Sequence, residues 1–524
     1  MTITWLDTIA NRRTPALVLL GAGLLIGSPA AGADTITTDE DPEGPSLTVY
    51  STADPAGFDP KQFLLQNNGN VDPWRILSIP GFGVVRDTRR IEVPKGVSDI
   101  RFTDVASHID PTTVGFIDRT SRGTRVLEQN FEYDLVSPQK LLKKYIDREV
   151  TLRWDATNQE VTGTLLSAMG NQAVLQSDSG IQIVSTTDAR ISMGQLPGGL
   201  ITRPTLVWKL DSPKGGMHEI ETSYQTAGLT WRADYNLTLD ADSSTANMTA
   251  WVTLMNLSGA SYDNARLKLV AGEVQKIQPR YNQSRGMLAM EMADAPPAKS
   301  AGFEEQSFFE YHLYTLPRRT DVKMNGTQQL TLFPPVRGFK IKKELLYLGA
   351  PSMMRGGWGN QPITNNGYGV TSSKDVEVFI EVENKKANGL GMPMPAGRMR
   401  LYMANPNDGS LEFIGEDTVE HTPRNETIRV KAGNAFDVVG ERTQVDFKVD
   451  TKAKTMAETW EIEIRNQKDV AQTVVVREPL YRWRNWEIDT SDPFEKINAR
   501  VVQWTLEVPA EGKKTIKYVV RYSW

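Results

Sequence analysis

Strict two-residue alternation over long stretches constrains this chain more than any other feature. In Glu219-Ile220-Glu221-Thr222-Ser223-Tyr224 and in Met248-Thr249-Ala250-Trp251-Val252-Thr253-Leu254, the large apolar side chains return at every second position. Successive side chains of a strand point to opposite faces, so such a segment has one buried face and one wet face. Stacked in pairs, strands of this kind make antiparallel β-sandwiches. The long alternating strands begin near Arg203; shorter ones precede them. Leu47-Thr48-Val49-Tyr50, Phe82-Gly83-Val84-Val85 and Ile91-Glu92-Val93 are separated by turn chemistry such as Pro94-Lys95-Gly96, the pattern of a small β domain.

One helix signal interrupts the strands. Ser137 is a capping residue, Pro138 suits a first helical position, and Leu141, Leu142, Tyr145 and Ile146 share a face, which predicts a helix over Pro138 to Asp147. Five short strands follow in quick succession, at Glu149–Arg153, Val161–Leu166, Ala173–Gln176, Ile181–Val184 and Ala189–Ser192. Turns at Asn158-Gln159 and Asp178-Ser179-Gly180 punctuate them, the spacing of a small SH3-like barrel. Further on, Trp251 to Asn256, Val376 to Asn384 and Trp460 to Asn466 repeat one local phrase of strand, Asn and polar turn. The spacings between the asparagines are unequal, which argues against a propeller or solenoid and for similar strand ends in related sandwich units.

The fold expected is therefore mostly β and multidomain: a small β domain, an SH3-like small barrel, then immunoglobulin-like β-sandwich units. The division read from the sequence is 1–33, 34–46, 47–136, 137–197, 198–349, 350–372 and 373–524. Residues 1–33 carry Arg12-Arg13, the apolar run Ala16 to Ile26 and a small-residue end, Ala31-Gly32-Ala33, which is the anatomy of a cleavable secretory signal with cutting before Asp34. The apolar run is too short to span a bilayer. Residues 34–46 form a polar acidic tether, and 350–372 a flexible Gly-rich loop around Trp358 and Tyr368. Ser284 to Gly302, with Met287, Met290 and Met292, is expected to be a second exposed segment.

Cysteine is absent from the 524 residues, so an exported chain of this composition relies on large β cores and not on disulfides. Export without cysteine points to a bacterial periplasmic or secreted protein of the cell envelope. The formal net charge is -5, a mild acidic excess that argues against a nucleic-acid partner. No transmembrane span is expected after signal cleavage.

Three phrases carry a resemblance: Leu127 to Leu135 (LEQNFEYDL), Tyr224 to Tyr235 (YQTAGLTWRADY) and Leu267 to Val274 (LKLVAGEV). They resemble the family called domain of unknown function 4139, to which mucoidy-inhibitor-like proteins belong, and Trp483-Arg484-Asn485-Trp486 and Trp504 to Tyr522 extend the likeness. The resemblance implies an exported, β-rich bacterial protein with the named domain in its carboxy-terminal half, and it brings no catalytic residues. Physically, Trp231 and Tyr235 fall on one strand face and are expected to cover a sandwich core, with a sugar-stacking platform as the sharper alternative.

No constellation in the sequence specifies a catalytic, cofactor-binding or metal site, and no cofactor is expected. The four histidines, His108, His218, His312 and His421, show no metal-ligand spacing. Ser137-Pro138-Gln139-Lys140 lacks the companion motif of a Ser-X-X-Lys enzyme. Paired acids at Glu304-Glu305 and at Asp489, Asp492 and Glu495 need the fold to converge before they can act as acid and base. Alternation from Ile516 to Trp524 fits a final sandwich strand, or the last strand of an outer-membrane barrel. The function expected is a non-enzymatic structural or interaction role in the envelope, binding protein or polysaccharide. The alternatives are a carboxylate-dependent glycan hydrolase and an outer-membrane-associated β protein.

Overall fold

A computed structural model describes residues 39–40, 44–51, 58–67, 73–132, 138–195, 202–272, 274, 303–350, 359–405 and 407–524. The leader 1–33, Ser137 and the segment Ser284 to Gly302 lie outside the described residues. Strands dominate, in four sheets of nine, five, three and thirteen strands. None of the helices among the described residues is long and apolar enough to cross a membrane.

In the nine-stranded sheet Glu304–Phe308, Tyr311–Thr315, Tyr262–Ala271, Ser46–Tyr50, Phe82–Val93, Gly216–Thr226 and Ile109–Asp118 lie side by side in that order. Strands from the amino-terminal β region and from beyond residue 198 therefore share one sheet, with Ser46–Tyr50 running parallel to Tyr262–Ala271. A three-stranded sheet built around Thr205–Ser212 packs against it. Ile100, Phe102, Leu206 and Trp208 from the small sheet join Leu47, Val85, Ile91 and Val93 from the large one in a single core.

The thirteen-stranded sheet owes its extent to two long strands, Gly326–Tyr347 and Thr427–Asp450. Each leaves one core and enters another: Phe333 and Phe339 belong to the first core, whereas Leu345 and Tyr347 belong to the carboxy-terminal core with Trp460, Trp504 and Tyr518. Glycines with positive φ, Gly338 at 65° and Gly433 at 148°, sit within these strands. Gly433 falls where the register with Asp375–Glu383 slips, and a bulge of this kind bends and twists a strand without ending it. The last strand, Gly512–Ser523, pairs on both sides, and Ile516, Tyr518, Val520 and Tyr522 turn into the core.

The five strands expected after the helix are present, in the order Gly180–Ser185, Gln172–Ser177, Gln159–Met169, Glu149–Trp154, Arg190–Ser192. The last strand returns to pair with the first, as expected of the SH3-like order, but the two outer strands share no ladder and the barrel is not closed. A register slip at Leu165/Ser167 curls the sheet over Tyr145. The helix itself is Pro138–Lys144, shorter than expected, and Ile146 is exposed. It has an equal in Pro60–Gln66, where the Asp59 side chain caps the amides of Lys61 and Gln62 and Pro60 stands at the start. Asp-Pro is a legible helix start that the strand-dominated surroundings obscured.

The three repeated asparagine phrases fold to one device. Asn256, Asn384 and Asn466 are all buried. The amide of Asn256 donates to the carbonyls of Ala260, Val322 and Lys323, that of Asn384 to Met392 and Pro423, and that of Asn466 to Val470, Val508 and Pro509. Each side-chain oxygen accepts a backbone amide, from Ser258, Gly391 and Lys468 respectively. In each case the neighbouring turn holds a residue of positive φ just before the next strand: Asn325, Asn425 and Glu511. Each asparagine thus fastens two turns at one end of a sandwich unit. Asn466→Ala is expected to cost about 1 to 3 kcal/mol, the penalty of leaving buried backbone groups unpaired. Asn466→Asp should cost at least as much, because a carboxylate cannot donate to carbonyls. Urea unfolding of both variants checks this; a loss under about 0.5 kcal/mol would show the turns fastened by other means.

Candidate functional site

Among the described residues the charged clusters divide into sealed ones and those lining open pockets, one of about 2200 Å³ and a second of about 900 Å³ that includes Lys448, Arg484 and Arg521. The largest sealed cluster lies in the carboxy-terminal core. Arg442 on Thr427–Asp450 donates from Nε to both oxygens of Glu478, at 2.9 and 3.0 Å, and from Nη1 to the Gly369 carbonyl at 2.8 Å. Its guanidinium carbon lies 3.3 Å from the centre of the Trp460 ring. Arg482 pairs with Glu458 and donates to the carbonyls of Ile363, Asn365 and Tyr368. These four charged side chains are at most 2% exposed, so no substrate reaches them. Their effect is to fasten residues 363–369 to the core. That part of the loop expected to be flexible is held by two buried arginines.

Two further clusters are structural in the same sense. His218 Nδ1 and Asp118 Oδ2 are 2.6 Å apart with both side chains 2% exposed. Burial alone would raise the Asp118 carboxyl, but hydrogen bonds from Thr124, His218, Ser121 and Thr120 outweigh it and hold the group below the usual carboxylate range. On the sandwich face, Arg232 meets Asp59 and Asp234 while Arg398 and Arg400 reach Glu416. This cluster pins the capped end of Pro60–Gln66 to the parallel pair Leu229–Leu239 and Gly397–Ala404.

The larger open pocket is a groove of about 2200 Å³ at the edge of the nine-stranded sheet. Its lining takes in the hairpin Glu304–Phe308 and Tyr311–Thr315, Arg266 and Lys268 on the neighbouring strand, and the bent part of Gly326–Tyr347. Phe309 at the hairpin tip is 80% exposed, with its ring 6.0 Å from that of Tyr311. Here His312 Nδ1 lies 2.8 Å from Glu305 Oε1. Ser307 stands opposite His312 in the register, yet no hydrogen bond joins them, so a Ser-His-Glu relay is not assembled.

The other sequence candidates do not converge. Glu304 and Glu305 are neighbours on a strand and point to opposite faces, so they cannot flank one glycosidic bond. Asp489 faces Arg521 and Glu495 lies on the separate strand Glu495–Asn498. His108 is half-buried, with its imidazole held below the usual range by burial, and His421 accepts the Ala396 amide. Among the described residues, no group of three or more His, Cys, Asp or Glu is placed to hold a metal ion. Trp231 is 3% exposed, donates from Nε1 to the Val49 carbonyl, and meets the Tyr314 ring edge-on at 6.3 Å, so it is core and not a platform. Sequence reasoning missed the groove because its lining comes from segments far apart in the chain; of the residues weighed in the sequence, Glu304, Glu305 and His312 line it.

Comparison with curated proteins gives no match. The family described as domain of unknown function (DUF4139) matches residues 220–524. That span takes in both long strands, all three asparagine fasteners, the buried arginine network and the whole lining of the groove. The chain belongs to the DUF4139 family.

Proposed function

We propose that this is an exported bacterial envelope protein with a non-enzymatic interaction role, which binds an envelope protein or polysaccharide through its β modules. The open groove carries this reading. It gathers the aromatic rings of Phe309 and Tyr311, amide and hydroxyl side chains and the cations Arg266 and Lys268 around an edge strand, the equipment of a binding surface. Glu304 and Glu305 point to opposite faces and are ill-placed for paired acid and base work, which disfavours these two as the pair of a carboxylate hydrolase. The leader read from residues 1–33 supports export.

Mass spectrometry of the exported protein is expected to find Asp34 first. Immobilised mature protein should retain an envelope component, and retention should fall when Phe309 and Tyr311 are both replaced by alanine. An uncut amino terminus would remove the export reading. Turnover of an envelope glycan by purified protein, with nothing retained, would replace the binding role by an enzymatic one.

A further inference from the structure

Across three adjacent strands of the nine-stranded sheet, the register sets Arg266 beside Ser46 and Ser46 beside Arg86. Two positions along, Lys268 stands beside Thr48. Residues paired across strands, and those two apart along one strand, share a face, so Arg86, Arg266 and Lys268 project from the same side. Arg86 and Arg266 flank the strand Ser46–Tyr50 at about 10 Å between backbones, within reach of one ligand for side chains of this length. Ser223 continues the row beyond Arg86.

None of the three cations has an ion-pair partner among the described residues. Of the nearest carboxylates along these rows, Glu219 and Glu221 face Arg119, and Glu304 shares the face of Lys268 one strand beyond Thr315, about 10 Å away between backbones and not ion-paired to it. Burial and the neighbouring charges of Arg266 and Arg86 hold the Lys268 amine below the usual lysine range, as expected of cations brought together without a counter-charge. The groove lining as a whole carries six lysines and arginines against four glutamates. On a chain with a net charge of -5 that is a local reversal of sign, and a concave surface of one sign concentrates ligands of the other.

We propose that Arg86, Arg266 and Lys268, with the hydroxyls of Ser46 and Thr48 between them, form an anion-binding subsite on the sheet face that runs out from Arg266 and Lys268 of the groove lining, and that it takes a carboxylate- or phosphate-bearing polymer. The inference rests on the groove being a binding surface and adds the charge of what it binds. Planar guanidinium groups on either side of a hydroxyl row suit a forked oxyanion, and the lysine adds a compact third charge.

The test uses the full mature chain with oligogalacturonate as the carboxylate probe, polyphosphate as the phosphate probe and dextran as a neutral control, measured by calorimetry at low and at physiological salt. Binding of at least one polyanion but not of dextran is expected, weaker at the higher salt; which polyanion binds tells carboxylate from phosphate. Arg266→Gln with Lys268→Met should weaken it about tenfold or more, since two of the three positive charges in the row are removed. Lys517→Gln, on a distant strand, should leave it unchanged, and unaltered melting temperatures would show the variants folded. Equal binding by the double variant, or binding of neither polyanion, overturns the subsite. If an envelope component is still retained by wild type and by the double variant alike, the subsite fails while the binding role stands; if nothing is retained at all, both fail.

Discussion

Replacing Arg442 by alanine is expected to destabilise the protein by about 3 to 5 kcal/mol, the cost of leaving Glu478 as a buried charge without its partner. Arg442 satisfies both oxygens of Glu478, the carbonyl of Gly369 and the face of Trp460 at once, so the variant loses an ion pair, a loop contact and a ring contact together. The exposed pair Arg465 and Glu441 provides the comparison: its loss should cost under about 1 kcal/mol, because water and side-chain freedom offset most of the attraction. Arg442→Met combined with Glu478→Leu should recover part of the loss, since it removes both charges and keeps the volume. Guanidinium unfolding of the four proteins checks the series. A loss below about 1 kcal/mol for Arg442→Ala would mean that the core admits water and that the network does not fasten the loop.

The parts of this fold that were legible in the sequence are those in which one segment carries its own information. Two-residue alternation identified the sandwich strands because the period reports burial directly. Asn256, Asn384 and Asn466 were readable as related strand ends, since an asparagine beside a polar turn has a local reason to be there. What escaped was set by pairing between distant segments. Nothing near Ser46 announces that it will lie between Arg86 and Arg266, and nothing near Glu478 announces Arg442. Partners in a sheet are chosen by topology, and a single sequence without an alignment does not expose that choice. The helix Pro60–Gln66 escaped for a different reason: its Asp59-Pro60 start was present, but it stands among strand signals that drew the reading.

The same contrast bears on Trp231, where replacement by alanine is expected to cost about 3 to 5 kcal/mol. Its ring lies between the two sheets of the first core, meets Tyr314 edge-on, and closes the Val49 carbonyl with its indole N–H. Alanine would leave a cavity, remove a ring contact and take the indole donor away from the Val49 carbonyl. Trp231→Phe separates these effects, because it keeps most of the volume and loses the donor; it should cost about 1 to 2 kcal/mol less than the alanine variant. Thermal unfolding measures both. Binding of envelope material by the folded fraction should persist in Trp231→Phe, since the ring is buried and is not part of the groove lining. If Trp231→Ala kept the wild-type melting temperature and lost only glycan binding, the residue would be a surface contact, and the core of this family-matching segment would have to be placed elsewhere.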